Sequence, residues 1–265
     1  MMKRKTDLFL VRHQTLCTVL FTVIFVAIPI LLLTNAQANI LLVVFSGILL
    51  MFSVILFVSS SAGRLMKKPL EAMERFDPMP LYRETELLLT YPLSKPLRRV
   101  VLINHAVALR DMCEYQRAYD ILAELYKDKS AKDPLYNQIV LTNNLADICV
   151  LLGRFEEADA AYASLSGLCK KASGAIAKSC EKLALNSFVY ECMREQRYSD
   201  VVSALEGKSF PSVRAQVSSS IDISRAYIKL GEYEKAKERL LYVISCAKDT
   251  ADAKIAQAML SDISK

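Results

Sequence analysis

Apolar positions divide this chain of 265 residues into two unequal parts. Between residues 16 and 58 they are almost continuous, 33 of 43, and the stretches 16–34 and 40–58 each run for 19 residues without a charge. A helix rises 1.5 Å per residue, so each stretch covers about 28 Å as a helix, close to the ~30 Å hydrocarbon core of a bilayer. The pattern predicts two transmembrane helices, the first kinked rather than ended by Pro29. Asn35-Ala-Gln-Ala-Asn39 leaves room only for a tight hairpin between them. From about residue 99 onward apolar residues recur at helical spacing instead, and no alternating strand pattern appears. The second part therefore reads as all-α.

Charge gives the first part an orientation. Lys3, Arg4, Lys5 and Arg12 precede the first stretch, Arg64, Lys67 and Lys68 follow the second, and the loop between carries none. Basic residues near span ends are retained in the cytoplasm. The expectation is an integral membrane protein of two spans with its N-terminus and C-terminal domain cytoplasmic, in a bacterial plasma membrane, and with the lipid bilayer as one partner. In a competing reading the first stretch is a secretory signal cleaved at Ala36-Gln37-Ala38. Its apolar run exceeds the usual 7–15 residues, and the large domain stays inside under either reading.

Four segments follow from these patterns: a basic N-terminus (1–15), a transmembrane hairpin (16–34 and 40–58), a connector (59–98) and a helical repeat domain (99–265). The connector holds five of the eight prolines, and prolines bound two short predicted helices at 70–76 and 81–90. Net charge is +6, but the repeat domain mixes signs along its helices, without the concentrated basic stripe of a nucleic-acid binder. No nucleic-acid partner is expected. The seven cysteines form no C-x-x-C pair and read as small apolar fillers rather than as disulfides or zinc ligands.

Within the repeat domain one phrase recurs: Asp111-Met-Cys-Glu-Tyr115-Gln-Arg-Ala118, Leu151-Leu-Gly153-Arg-Phe155-Glu-Glu-Ala158, Arg194-Glu-Gln-Arg-Tyr198-Ser-Asp-Val201 and Lys229-Leu-Gly231-Glu-Tyr233-Glu-Lys-Ala236. Each is a polar turn, an aromatic, and a small residue three positions later, with an apolar helical run on both sides. That describes a helix-turn-helix hairpin in which the small residue lets two helices approach closely. The phrase resembles the tetratricopeptide repeat, a 34-residue helical hairpin with a loose pattern of large, small and aromatic positions. The fourth copy is the most similar, with Ile223, Ser224, Tyr227, Gly231, Tyr233, Ala236 and Leu240 at the family's spacing. The second follows with Leu145, Ala146, Cys149, Gly153, Phe155, Ala158 and Tyr162. The first and third are degenerate, with Cys113 and Gln196 where glycine is usual. Uneven spacing between Ala118, Ala158, Val201 and Ala236 requires some helices to be longer than standard. Pro134 and Pro211 fall just inside predicted helix starts, and 250–263 forms an amphipathic cap. The fold class is thus two transmembrane helices followed by a solenoid of about four hairpins and a capping helix.

Chemistry is sparse. The seven glycines form no phosphate loop or nucleotide fingerprint. Of two histidines, His13 belongs to the N-terminus and His105 falls on a repeat core position. No catalytic residue, metal site or cofactor is expected. The resemblance implies a protein-binding module whose concave groove is lined from the first helix of each hairpin. Those positions map to Arg110, Asn143, Asp147, Asn186, Tyr190, Arg225 and Lys229. Asparagine suits a peptide backbone, having both donors and an acceptor, and Arg110 and Arg225 suit carboxylates. The Lys-Asn-Asn-Lys-Arg arrangement by which some relatives clamp a C-terminal carboxylate is incomplete here. The expected function is a membrane-anchored adaptor or scaffold that takes a partner's peptide or helix in this groove. The alternative is an accessory subunit of a membrane complex, docked through its transmembrane hairpin. A third reading, a lipid- or small-molecule-binding solenoid, requires a closed apolar cavity.

Overall fold

The structure, a computed structural model, describes residues 2–13, 16, 17, 19, 20, 23, 48, 61, 63–128 and 133–264. Among the described residues no strand occurs. A short helix α1 (Met2–Arg12) and helical residues 63–73 lead to α2 (Met79–Leu89). Four helix pairs follow: α3 (Lys95–Asp111) with α4 (Tyr115–Lys127), α5 (Leu135–Leu151) with α6 (Phe155–Cys169), α7 (Gly174–Arg194) with α8 (Tyr198–Leu205), and α9 (Val213–Leu230) with α10 (Tyr233–Ala247). A last helix, α11 (Ala251–Ile263), completes the array.

Each pair turns in the same way. The amides of Glu114, Arg154, Arg197 and Glu232 reach back to the carbonyls of Leu109, Cys149, Cys192 and Tyr227, at 2.8–2.9 Å. The preceding amides, of Cys113, Gly153, Gln196 and Gly231, close shorter loops onto Arg110, Val150, Met193 and Ile228. This double bonding caps a helix C-terminus and needs one residue in the left-handed region. Gly153 and Gly231 supply it at φ +70 and +80, and Cys113 and Gln196 adopt it at +67 and +61. The degenerate copies therefore keep the turn while losing the glycine. Three residues past each aromatic, Ala118, Ala158, Val201 and Ala236 are fully buried.

Packing proceeds from pair to pair. Leu109, Ala118 and Leu122 meet Leu141, Leu145 and Cys149 between the first and second pairs. Ile139, Leu165 and Cys180 join the second to the third, and Val189, Val201, Ile223 and Tyr227 the third to the fourth. Each such leucine or isoleucine, fully buried, contributes about 1.5–3 kcal/mol relative to exposure. His105 is buried as its repeat position suggests: Thr85 Oγ1 lies 2.9 Å from its Nδ1, and Tyr82 stacks on the ring at 5.0 Å. Burial first, and the Arg117 charge second, hold its pKa below the ordinary value.

The array does not stay open. Asp252, at the start of α11, pairs with Arg110 at the end of α3 at 2.9 Å, and Arg214 of α9 pairs with buried Asp111. Phe76 packs into the core of the last pair, with Val217, Leu240, Val243, Ala253 and Ala256. Arg214 also donates to the Met73 carbonyl at 2.8 Å. First and last repeats are thus joined, with residues 73–76 wedged beside the seam.

Several expectations change. The segment read as a connector packs tightly: Leu65, Met66 and Leu88 bury with Val11 and Val101, Arg64 pairs with Asp7 at 2.7 Å, and Arg4 pairs with Glu84. The helix predicted at 70–76 runs over 63–73 instead, through Pro69, and ends before Phe76 at φ +59. Pro134 is the N-cap residue of α5, and Pro211 precedes Ser212, whose side chain caps α9 by accepting from the Ala215 amide at 3.2 Å. Both lie just outside the helices rather than just inside.

The two-span localisation also needs correction. Among the described residues no helix is long and apolar enough to cross a membrane. The longest of the helices named above, α7 with 21 residues, carries Lys178, Glu181, Lys182, Glu191 and Arg194, and charges so placed are incompatible with a bilayer interior. The predicted spans 16–34 and 40–58 lie, apart from residues 16, 17, 19, 20, 23 and 48, outside the described residues. The bilayer, as a partner resting on those spans, loses its support.

Candidate functional site

The first helices of the four pairs line one face of the stack. There α3, α5, α7 and α9, closed off by α11, surround a cavity of about 530 Å³. Arg110 enters it from α3, Asp147 from α5, Asn186 and Tyr190 from α7, and Arg225 from α9. Five of the sequence-derived groove residues are therefore neighbours around one space. The other two are not on its wall. Asn143 stands one turn before Asp147 and donates to its Oδ2 at 3.2 Å. Lys229 is exposed near the end of α9.

Most charges on the wall are already matched. Arg110 bonds Asp111 at 2.7 Å and Asp252 at 2.9 Å, and Asp111 also takes Arg214 on its second oxygen. Burial disfavours the Arg110 cation, but the charges of Asp252 and Asp111 outweigh that and keep it firmly protonated. Arg225 pairs with Asp222, one turn earlier on α9, at 3.0 Å. On the rim Arg194 approaches Asp159 at 3.5 Å and covers the Phe155 ring at 4.8 Å.

Asp147 is different. It accepts from Tyr162 Oη at 2.9 Å and from Asn143, and among the described residues it forms no ion pair. Burial raises its pKa, against the opposing pull of the Tyr162 hydrogen bond and the Arg110 charge. Asp222 is raised as well, by burial first and by the nearby Asp147 charge, against the pull of Arg225. Tyr162 and Tyr190 stack with centroids 4.5 Å apart, and Tyr190 Oη donates to Asp159 at 2.5 Å. The Asn143 Oδ1 is buried and has no hydrogen-bond partner among the described residues.

Sequence reasoning missed Asp222, Tyr162 and Asp252. Asp222 was within reach, since it lies three residues before Arg225 on the face already assigned to the groove. Tyr162 lies on a second helix, where the rule about first helices does not look. Asp252 sits on the capping helix, and only the closure of the array brings it to the wall. Among the described residues no group of three or more His, Cys, Asp or Glu side chains is placed to hold a metal ion. The arrangement can offer charged, amide and aromatic contacts to something lying in the cavity.

The family model of the tetratricopeptide repeat matches residues 218–241, most of α9 and the first part of α10. With the helical hairpins that precede it, the match supports a tetratricopeptide repeat family, and a repeat of this kind suggests a protein-protein interaction adaptor. Such repeats are typically non-catalytic interaction modules. No curated protein and no solved structure matches the chain.

Proposed function

We propose that this chain is an adaptor that binds another protein by taking a short segment of it into the concave cavity. The observation that carries the reading is the convergence of Arg110, Asp147, Asn186, Tyr190 and Arg225, from four successive first helices, on a single cavity of about 530 Å³. Residues spread over more than 100 positions of sequence share one wall, as they must to hold an extended ligand at several points. Asn186 is exposed at this wall and suits a backbone amide of the bound segment. A volume of this size also falls in the range of small-molecule pockets, ~300–1,000 Å³. The mixture of charged and aromatic groups on the wall favours the first.

The test is quantitative affinity capture with the full chain beside Asn186→Arg, which projects a long side chain into the cavity from an exposed position. The reading expects a captured protein to be lost with the variant while the thermal midpoint stays within a few degrees. An unchanged set of captured proteins would sink the assignment of this surface.

A further inference from the structure

The arginines of the cavity are satisfied, and one carboxylate is not. On the wall Arg110 and Arg225 stand against Asp147, Asp222 and Asp252, and the adjoining pair of Arg214 and Asp111 adds no net charge. Two cations face three anions, and the rim pair of Arg194 and Asp159 adds no net charge either. The surplus falls on Asp147, whose bonded neighbours among the described residues are a hydroxyl and an amide. Charges sequestered from water are normally paired. An anionic ligand would have to compete with aspartates for every arginine on the wall, whereas a cation would complete the network.

Beside Asp147 lie the stacked rings of Tyr162 and Tyr190, both on the cavity wall. Aromatic faces attract ammonium and guanidinium groups and also bury their hydrocarbon stems. Ile221 and Val150 supply apolar wall nearby. We propose that the cavity receives the cationic head of a lysine or arginine side chain projecting from the bound protein segment, with Asp147 as its counter-ion and Tyr162 and Tyr190 alongside its stem. The assignment rests on the adaptor reading and narrows it to partners whose binding segment is basic at one position.

The experiment screens the full chain against a positional-scanning library of hexapeptides, acetylated and amidated so that their ends carry no charge, with spermidine titrated separately. The proposal expects enrichment of Lys or Arg at one position, and at least a tenfold loss of affinity for the selected peptides in Asp147→Asn. That variant keeps an acceptor for Tyr162 and removes the charge. Asp222→Asn, which leaves Asp147 in place, should weaken binding less. The wild-type selection stands on its own should either variant fold poorly. Peptides bound without a basic preference would overturn the cation assignment and leave the adaptor reading intact. Spermidine bound through Asp147 with no peptide bound would overturn both the side-chain source and the adaptor reading. Binding of neither probe would overturn both as well.

Discussion

Asp252 Oδ1 lies 2.9 Å from Arg110 Nη2, although one residue opens the last helix and the other stands at the end of the first helix of the first repeat. Asp252 is nearly inaccessible, with 4% of its side chain exposed, so this pair closes the array from within rather than decorating its surface. Removing Asp252 takes one of two carboxylates from Arg110 and leaves it on Asp111. Asp252→Ala should cost about 2 kcal/mol by equilibrium urea unfolding. Hydrogen exchange should show α11 losing protection before the second and third pairs do. Uniform loss across all helices would mean that the pair does not act as a latch.

The left-handed turns offer a gain in stability. A non-glycine residue in that region costs roughly 1–2 kcal/mol, and glycine returns part of this through the entropy of the unfolded chain. Gln196→Gly and Cys113→Gly should each stabilise by about 0.5 kcal/mol. Gly153→Ala and Gly231→Ala should destabilise by about 1 kcal/mol or more. Nothing lies within 4 Å of a methyl group added at either glycine, so the cost is one of backbone conformation alone. Opposite shifts of the urea midpoint for the two sets of variants are the expected result.

Arg99 ties the first pair to the second. It is buried, pairs with buried Asp133 at 2.7 Å, reaches Asp128 at 3.2 Å, and donates to the Leu125 carbonyl at 2.9 Å. Arg99→Ala strands the Asp133 carboxylate, and the expected loss is about 3–5 kcal/mol. Arg99→Met combined with Asp133→Leu should recover part of it. A double variant less stable than Arg99→Ala would contradict the account.

His105 gives stability a pH dependence of known sign. Its folded pKa lies below the ordinary 6.5, so below that value the unfolded chain binds the extra proton first. Its contribution is complete above pH 6.5 and falls as pH drops towards the folded pKa. The groups around it are Thr85, Tyr82, Arg117 and, pulling the other way, Glu86. Asp147 and Asp222, raised from 3.8, act oppositely: their contribution is present at low pH and is lost as pH rises through their folded values. The difference between wild type and His105→Gln isolates the histidine. That difference should shrink on going from pH 7 to pH 5.

The hairpins were readable from sequence because their determinants are local. An aromatic, a small residue three places on and a capped turn all fall within eight residues, and Ala158 and Ala236 occupy the positions that spacing gave them. Even Cys113 and Gln196 betrayed their turns through register, though nothing in a single chain said that they would bend left-handed. Asp147, Tyr190 and Arg225 were placed on one inner face by the resemblance to the tetratricopeptide repeat, which implies that first helices line the groove. The closure could not be read in this way. Phe76, Asp111, Arg214 and Asp252 are far apart in sequence, and helical periodicity says which face a residue occupies but not which distant face it meets. Pro69 misled for a related reason: its neighbours stabilise a helix that local rules would have ended. The apolar runs at 16–34 and 40–58 were judged by length and hydropathy alone, without a folded partner against which to weigh them.

A solenoid whose ends are free can gain or lose a repeat, since each unit touches only its neighbours. Here a fifth hairpin inserted between α6 and α7 would carry Asp252 away from Arg110 and Arg214 away from Asp111, breaking the seam beside the cavity. Deleting one would do the same. Four is therefore a fixed copy number set by geometry, and variation in this protein has to come through the side chains on the wall rather than through the length of the array.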